Sequence, residues 1–170
     1  ILSMENPYDS NKRGELGLQM NIDYAWDHLL YNGKYYSYYG IAPVLLLFMP
    51  YHLITGYYFP TVIAVYLFAR VGIFFLSRIY IAFIERWFKD IPQGMAAVGI
   101  IIMLASCGIW FSVARPEFYE AAISAGFACI CSGMYFLITS NILSEGKISL
   151  KRLALSTVLL SLGVLSRPTT

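Results

Sequence analysis

From Tyr58 onward the chain alternates long apolar runs with short polar links. An α-helix needs roughly 20 apolar residues to cross a hydrocarbon core, so each run is a candidate span. Tyr58 to Ile84 is the first, followed by the polar link ERWFKDIPQG. Met95 to Val113 and Phe118 to Leu143 are the second and third, separated by ARPE. A second polar link, SEGKISLKR, leads to the short run Leu153 to Leu165. Ile41 to Ile54 is apolar too, but it is short and holds Pro43 and Pro50, which predicts a juxtamembrane or re-entrant helix. Upstream, Leu18, Ile22, Ala25, Trp26, Leu29 and Leu30 recur at helical spacing and predict an amphipathic surface helix from Gly17 to Tyr31.

The composition agrees with this pattern. Hydrophobic residues make up 58% of the chain and charged residues 13%, with a mean hydropathy of +0.61. Such values exclude a soluble globular domain. The expected fold class is therefore all-α: a polytopic transmembrane helix bundle over residues 58–170, with about four spans. It follows a loop over residues 1–57 that contains short juxtamembrane helices. The chain opens on Ile1 and closes on SRPTT behind a short apolar run, so it reads as a piece of a longer protein with its last span cut.

Loops kept in the cytoplasm are enriched in Lys and Arg. Arg78, Arg86 and Lys89 flank the first link and Lys147, Lys151 and Arg152 the second, whereas ARPE offers Arg115 beside Glu117 and Glu120. The two basic links are thus assigned to the cytoplasm, and residues 1–57, ARPE and SRPTT to the outer face of a multi-pass cell-membrane protein. If Ile41 to Ile54 crossed the bilayer, every later span would invert against this bias. Arg70 falls near the middle of the first span, where a charge costs roughly 2.5–3.5 kcal/mol on insertion scales. It should face protein or water. A contact with an anionic ligand or an internal acid, and a local snorkelling or pairing role, both fit.

A formal net charge of +2 and the lack of any basic block set nucleic-acid binding aside. Cys107, Cys129 and Cys131 lie in apolar runs and read as buried thiols acting as small hydrophobes. In the outer loop, Asp23 and Asp27 stand one helical turn apart. The pair could hold a divalent cation through oxygen ligands, or one member could act as a base with His28 adjacent in sequence; a solvated polar face is the plain alternative. Asp9, with Ser10 and Asn11, could cap a short helix beginning near Lys12, or serve as a catalytic carboxylate. The tyrosines from Tyr31 to Tyr58 form an aromatic belt at headgroup level. Within YNGKYYSYYG, Asn32-Gly33 marks a turn, and Lys34 stands beside Tyr35 and Tyr36. Rings to stack on and one cation also suit a sugar or a phosphate headgroup.

The order NPYD with a downstream Arg, a Trp-Asp pair, YNGKYYSYYGIAPVLLLFMPYHLITG, then RPE and SRPT, resembles multi-spanning bacterial membrane proteins of the GT-C class. These are the polyprenyl-phosphate-sugar-dependent glycosyltransferases. The resemblance covers the outer loop best and the spans in layout. It implies an acidic residue in the first outer loop that acts as base on the acceptor or helps bind a divalent metal, Mg or Mn. Asp9 in NPYD is the best match for that residue, Glu5 the second and Asp27 the third. It further implies a lipid-linked sugar donor and a polar acceptor meeting at the outer face, with Lys34, Arg115, Arg167 and also Arg13 as cations available to phosphate. The alternative class is a non-catalytic transport or saccharide-assembly protein in the membrane.

Overall fold

The computed structural model describes residues 6, 9–12, 14–15, 28–32, 34–37, 40–142 and 146–166. Two compact units divide at Tyr38 and Tyr39.

In the first unit, two strands pair antiparallel: β1 (His28–Tyr31) and β2 (Lys34–Ser37), with Tyr31 opposite Lys34 and His28 opposite Ser37. The connection falls where Asn32-Gly33 predicts a turn, and Asn32 takes φ 47°. Asn is among the few residues that occupy this left-handed region at low cost. The hairpin corrects the expectation of a helix running to Tyr31, since its last four positions are a strand; positions 17–27 lie outside the described residues.

The second unit is helical. Its first element, α1 (Val44–Thr55), opens with the π-helical turns Val44–Phe48 and continues as α-helix from Met49. Pro50 has no N–H to give Leu46, and the chain winds wider just before it, with Met49 N–H donating to the Val44 carbonyl. Gly56, at φ 75°, then ends the helix. Next come α2 (Thr61–Trp87), α3 (Gln93–Ser106), α4 (Ile109–Ala114), α5 (Phe118–Thr139) and α6 (Leu150–Ser166). Helix α2 and helix α5 are long and apolar enough to cross a membrane.

Two expected spans are corrected. Met95 to Val113 is not continuous: α3 stops at Ser106, Gly108 turns left-handed at φ 70°, and α4 begins at Ile109. The freed carbonyls at the break find side-chain donors. Trp110 Nε1 donates to the Leu104 carbonyl at 2.7 Å, Cys107 Sγ reaches the same oxygen at 3.1 Å, and Ser106 Oγ donates to Ile102 at 2.8 Å. The third run likewise ends at Thr139 rather than Leu143, with Asn141 at φ 64° beyond it.

Helix α5 is the centre of this unit and packs most extensively against α2 and α6. Its buried face is built from small side chains: Ala121, Ala122, Ser124, Ala125, Ala128, Cys129, Cys131 and Ser132, with Gly126 and Gly133. Small residues let helix backbones approach closely, the usual device where lipid is as apolar as the helix face and burial gives no net drive to associate. A Cβ at Gly133 would lie 2.8 Å from Leu160 Cγ, and one at Gly163 would lie 2.7 Å from Ile130 Cγ1. Across the same seam Ser156 Oγ donates to the Gly133 carbonyl at 2.8 Å, and Arg152 Nη1 donates to the Thr139 carbonyl at 2.8 Å. All three cysteines are free; Cys129 and Cys131 are buried as expected, whereas Cys107, at the helix break, is only half-buried.

The contacts fix chain direction. Gly72 faces Phe127, and Phe75 meets Tyr135 and Phe136, so α2 and α5 run parallel. Gly99 meets Tyr80 on the return through α3 and α4, and α6 runs antiparallel to α5.

Candidate functional site

One end of the helical unit collects four pieces of sequence. Gly40 lies against the backbone of Leu165 and Ser166 at the end of α6. Phe48 of α1 stacks on Phe118 at the start of α5, with centroids 5.9 Å apart, and meets Phe59 ahead of α2 at 6.4 Å. Tyr51 packs edge-on against Phe59 at 4.9 Å. The turn Arg115-Pro116-Glu117 enters α5 here, and Arg115 is exposed. At the opposite end lie the link 88–92, residues 146–149 and the start of α6, where Lys89, Lys147 and Lys151 are exposed.

Beyond the turn, Glu120 occupies the first turn of α5, where a carboxylate complements the positive end of the helix dipole. Its Oε2 is buried and without a hydrogen-bond partner, and so is Ser124 Oγ. Four residues apart on one helix, the two share a face. The buried hydroxyls of Ser132, Ser140, Ser156 and Ser166 donate to carbonyls, whereas that of Ser124 does not. Two acceptor oxygens one turn apart in apolar packing can take a hydroxyl, a water or a cation. In the sequence Glu120 is a charge near Arg115, and the spacing E-x-x-x-S inside a small-residue run is the signal for the pair.

In the first unit, Asp9 Oδ1 accepts the backbone N–H of Asn11 at 3.0 Å and of Lys12 at 3.3 Å, and the chain is helical at 10–12. The capping geometry anticipated for Asp9 is therefore present. Lys34 is exposed and opens β2, which carries Tyr35 and Tyr36 directly after it. Three sequence-predicted residues thus share one strand. Glu5, Asp27 and Arg167 lie outside the described residues, as do Asp23 and Arg13.

No group of three or more His, Cys, Asp or Glu residues able to hold a metal occurs among the described residues. The divalent cation implied by the resemblance has no fitting donor set there.

Comparison with protein-family models, with curated proteins and with solved structures gives no match. Functional assignment therefore rests on the chain's own residues.

Proposed function

We propose that this chain belongs to a multi-pass membrane glycosyltransferase of GT-C type, which moves a sugar from a polyprenyl-phosphate donor to a polar acceptor at the extracytoplasmic face. In this reading α2, the broken pair α3 and α4, α5 and α6 cross the bilayer, α1 lies at its outer boundary, and residues 1–57 are extracytoplasmic. The observation that carries it is the gathering of α1, the start of α2, the Arg115 turn, the Glu120 end of α5 and the end of α6 at one end of the helical unit. The Lys-bearing links stand at the other end, in keeping with the positive-inside bias.

The chemistry requires such a layout, because an apolar-tailed donor and a water-soluble acceptor can meet only at a membrane face. A carboxylate takes the proton of the acceptor hydroxyl as its oxygen bonds to the anomeric carbon. The bond from that carbon to the phosphate oxygen breaks, and the polyprenyl phosphate leaves with the electron pair. Cations near the phosphate lower the barrier by meeting the charge that develops there. Asp9 is the proposed base, with Glu5 and Asp27 next in order. Lys34, Arg115 and Arg167 are the proposed phosphate partners, and Tyr35 and Tyr36 the stacking surface for sugar.

The test is donor turnover by the full-length protein in liposomes with a panel of polyprenyl-phosphate sugars, comparing wild type with Asp9→Asn. Turnover abolished in a folded variant supports Asp9 as the base. Turnover unchanged moves that role to Glu5 or Asp27. No turnover with any donor overturns the enzyme reading in favour of a non-catalytic transport or saccharide-assembly role.

A further inference from the structure

Among the described residues, two buried side-chain oxygens make no hydrogen bond: Glu120 Oε2 and Ser124 Oγ. Ser124 is wholly buried, with 0% of its surface exposed, whereas Glu120 as a whole is half-buried in the first turn of α5. The pair therefore begins close behind the molecular surface and runs one turn, about 6 Å, into the helix packing. A contact further along α5 identifies the wall it faces. Phe127, seven residues after Glu120 and three after Ser124, lies on the same face and meets Gly72 of α2. Counting back by the same three and seven residues along the parallel α2 reaches Ala69 and Val65, both buried. Neither has a polar side-chain atom, nor has the buried Ala64 beside them. A carboxylate oxygen and a hydroxyl thus meet an apolar wall of small residues.

Two such atoms left bare each carry the full cost of their desolvation, so the pair is complete only with a bound group. An anion is repelled by the carboxylate, which excludes the phosphate of a donor here. A divalent cation wants six or more oxygens, and no group of three or more His, Cys, Asp or Glu able to hold one occurs among the described residues. The Glu117 carbonyl of the same turn is taken by the Ala121 N–H. A hydroxyl fits both atoms at once: its hydrogen goes to the carboxylate, and its oxygen takes the Ser124 O–H. Water makes the same two bonds, and a hydroxyl on a larger molecule displaces it with both reproduced. We infer that Glu120 and Ser124 form a binding subsite for one hydroxyl of a neutral sugar, the acceptor of the proposed transfer. The attacking hydroxyl stays with the base, and the subsite holds another, which orients the acceptor. This inference deepens the glycosyltransferase proposal and rests on it for the presence of an acceptor at this end of the helical unit.

The experiment measures, by equilibrium dialysis, the binding of radiolabelled methyl glucoside, galactoside and mannoside to the full-length protein in phosphatidylcholine liposomes. At least one glycoside is expected to bind saturably. Its Kd should rise at least ~10-fold in Glu120→Leu and in Ser124→Ala, each of which removes one hydrogen bond from a buried site. Ser156→Ala, which removes a hydroxyl on the α6 side of the seam, should leave that Kd unchanged. Among the monodeoxy analogues of the same glycoside, one should bind the wild type comparably weakly, and Ser124→Ala should weaken that analogue no further. A merely structural role for Ser124 would weaken every analogue alike. No saturable binding to the wild type, or a Kd indifferent to both substitutions, overturns the inference and leaves the pair to water. Substitutions that weaken binding of a polyprenyl-phosphate sugar but not of the glycoside overturn the acceptor assignment. Donor turnover in the same liposomes reads the underlying proposal separately. Turnover together with glycoside binding that ignores Glu120 and Ser124 overturns the subsite alone, whereas no turnover with any donor overturns the glycosyltransferase reading and the acceptor role with it.

Discussion

At the residue scale, the seam between α5 and α6 is governed by a few atoms whose replacement has opposite consequences. A side chain at Gly133 would meet Leu160 Cγ at 2.8 Å and its backbone nitrogen at 3.1 Å, and the backbone cannot yield as a flexible side chain can. Gly133→Val is expected to cost about 2 kcal/mol by overpacking, read as a shift in the unfolding midpoint in mixed detergent micelles titrated with SDS. Gly94, near the start of α3, has nothing within 4 Å of a would-be Cβ, so Gly94→Ala should hold or raise that midpoint by up to about 1 kcal/mol. The serines divide in the same way. Ser156 donates its hydroxyl across the seam, and Ser156→Ala should lose about 0.6 kcal/mol, the mean found for hydrogen bonds between membrane helices. Ser124 Oγ is buried with no partner, and removing an unpaired buried hydroxyl relieves its desolvation. Ser124→Ala is accordingly expected to leave stability unchanged or raise it, measured by the same titration; a loss larger than that of Ser156→Ala would show that Ser124 holds a bound group.

At the element scale, the break between α3 and α4 depends on one residue's backbone freedom. Gly108 sits at φ 70°, where a Cβ costs roughly 1–2 kcal/mol, so Gly108→Ala should destabilise by about 1 kcal/mol and Gly108→Asn by less. Trp110→Phe should add to the damage by stripping Leu104 of its indole donor, and hydrogen exchange at positions 104–110 would report the loosening. This break marks the limit of what the sequence discloses. The bodies of α2 and α5 are legible because a long apolar run has few alternatives, and their ends fall within a few residues of expectation. The interruption is hidden because Ser106, Cys107 and Gly108 are each tolerated inside a helix. What tips the balance is Trp110 reaching back, a contact between residues whose spacing matches no standard pattern. The hairpin is a conflict of signals of another kind. Asn32-Gly33 between HLLY and KYYS is a strong short-range hairpin cue, yet Leu29 and Leu30 also extend the helical spacing that begins at Leu18. Within the candidate site, Asp9 as a cap was legible because capping is local, whereas the pairing of Glu120 with Ser124 as unsatisfied atoms depends on what α2 and α6 exclude from the face of α5.

For the whole molecule, the contacts place the two ends of the helical unit, and the proposed orientation assigns a side to each. Single cysteines at Lys89 and Lys147, in a background where Cys107, Cys129 and Cys131 are alanine, should react with an impermeant maleimide only after vesicles of native orientation are opened; cysteines at Tyr58 and Glu117 should react from outside. Reactivity of all four from one side would remove the multi-pass assignment. The parallel course of α2 and α5 bears on synthesis as well as on the finished protein. The helix against which α2 packs most is the one that ends at Thr139, roughly 50 residues after Trp87. At about 5–20 residues per second, α2 leaves the ribosome roughly 3–10 s before that partner is complete. Throughout this interval its small-residue face at Ala64, Val65, Ala69 and Gly72 has no α5 to lie against. A slow codon cluster or a weakened α5 would lengthen the exposure, so substitutions in α5 should act on yield through the degradation of nascent chains before they act on the stability of those that mature.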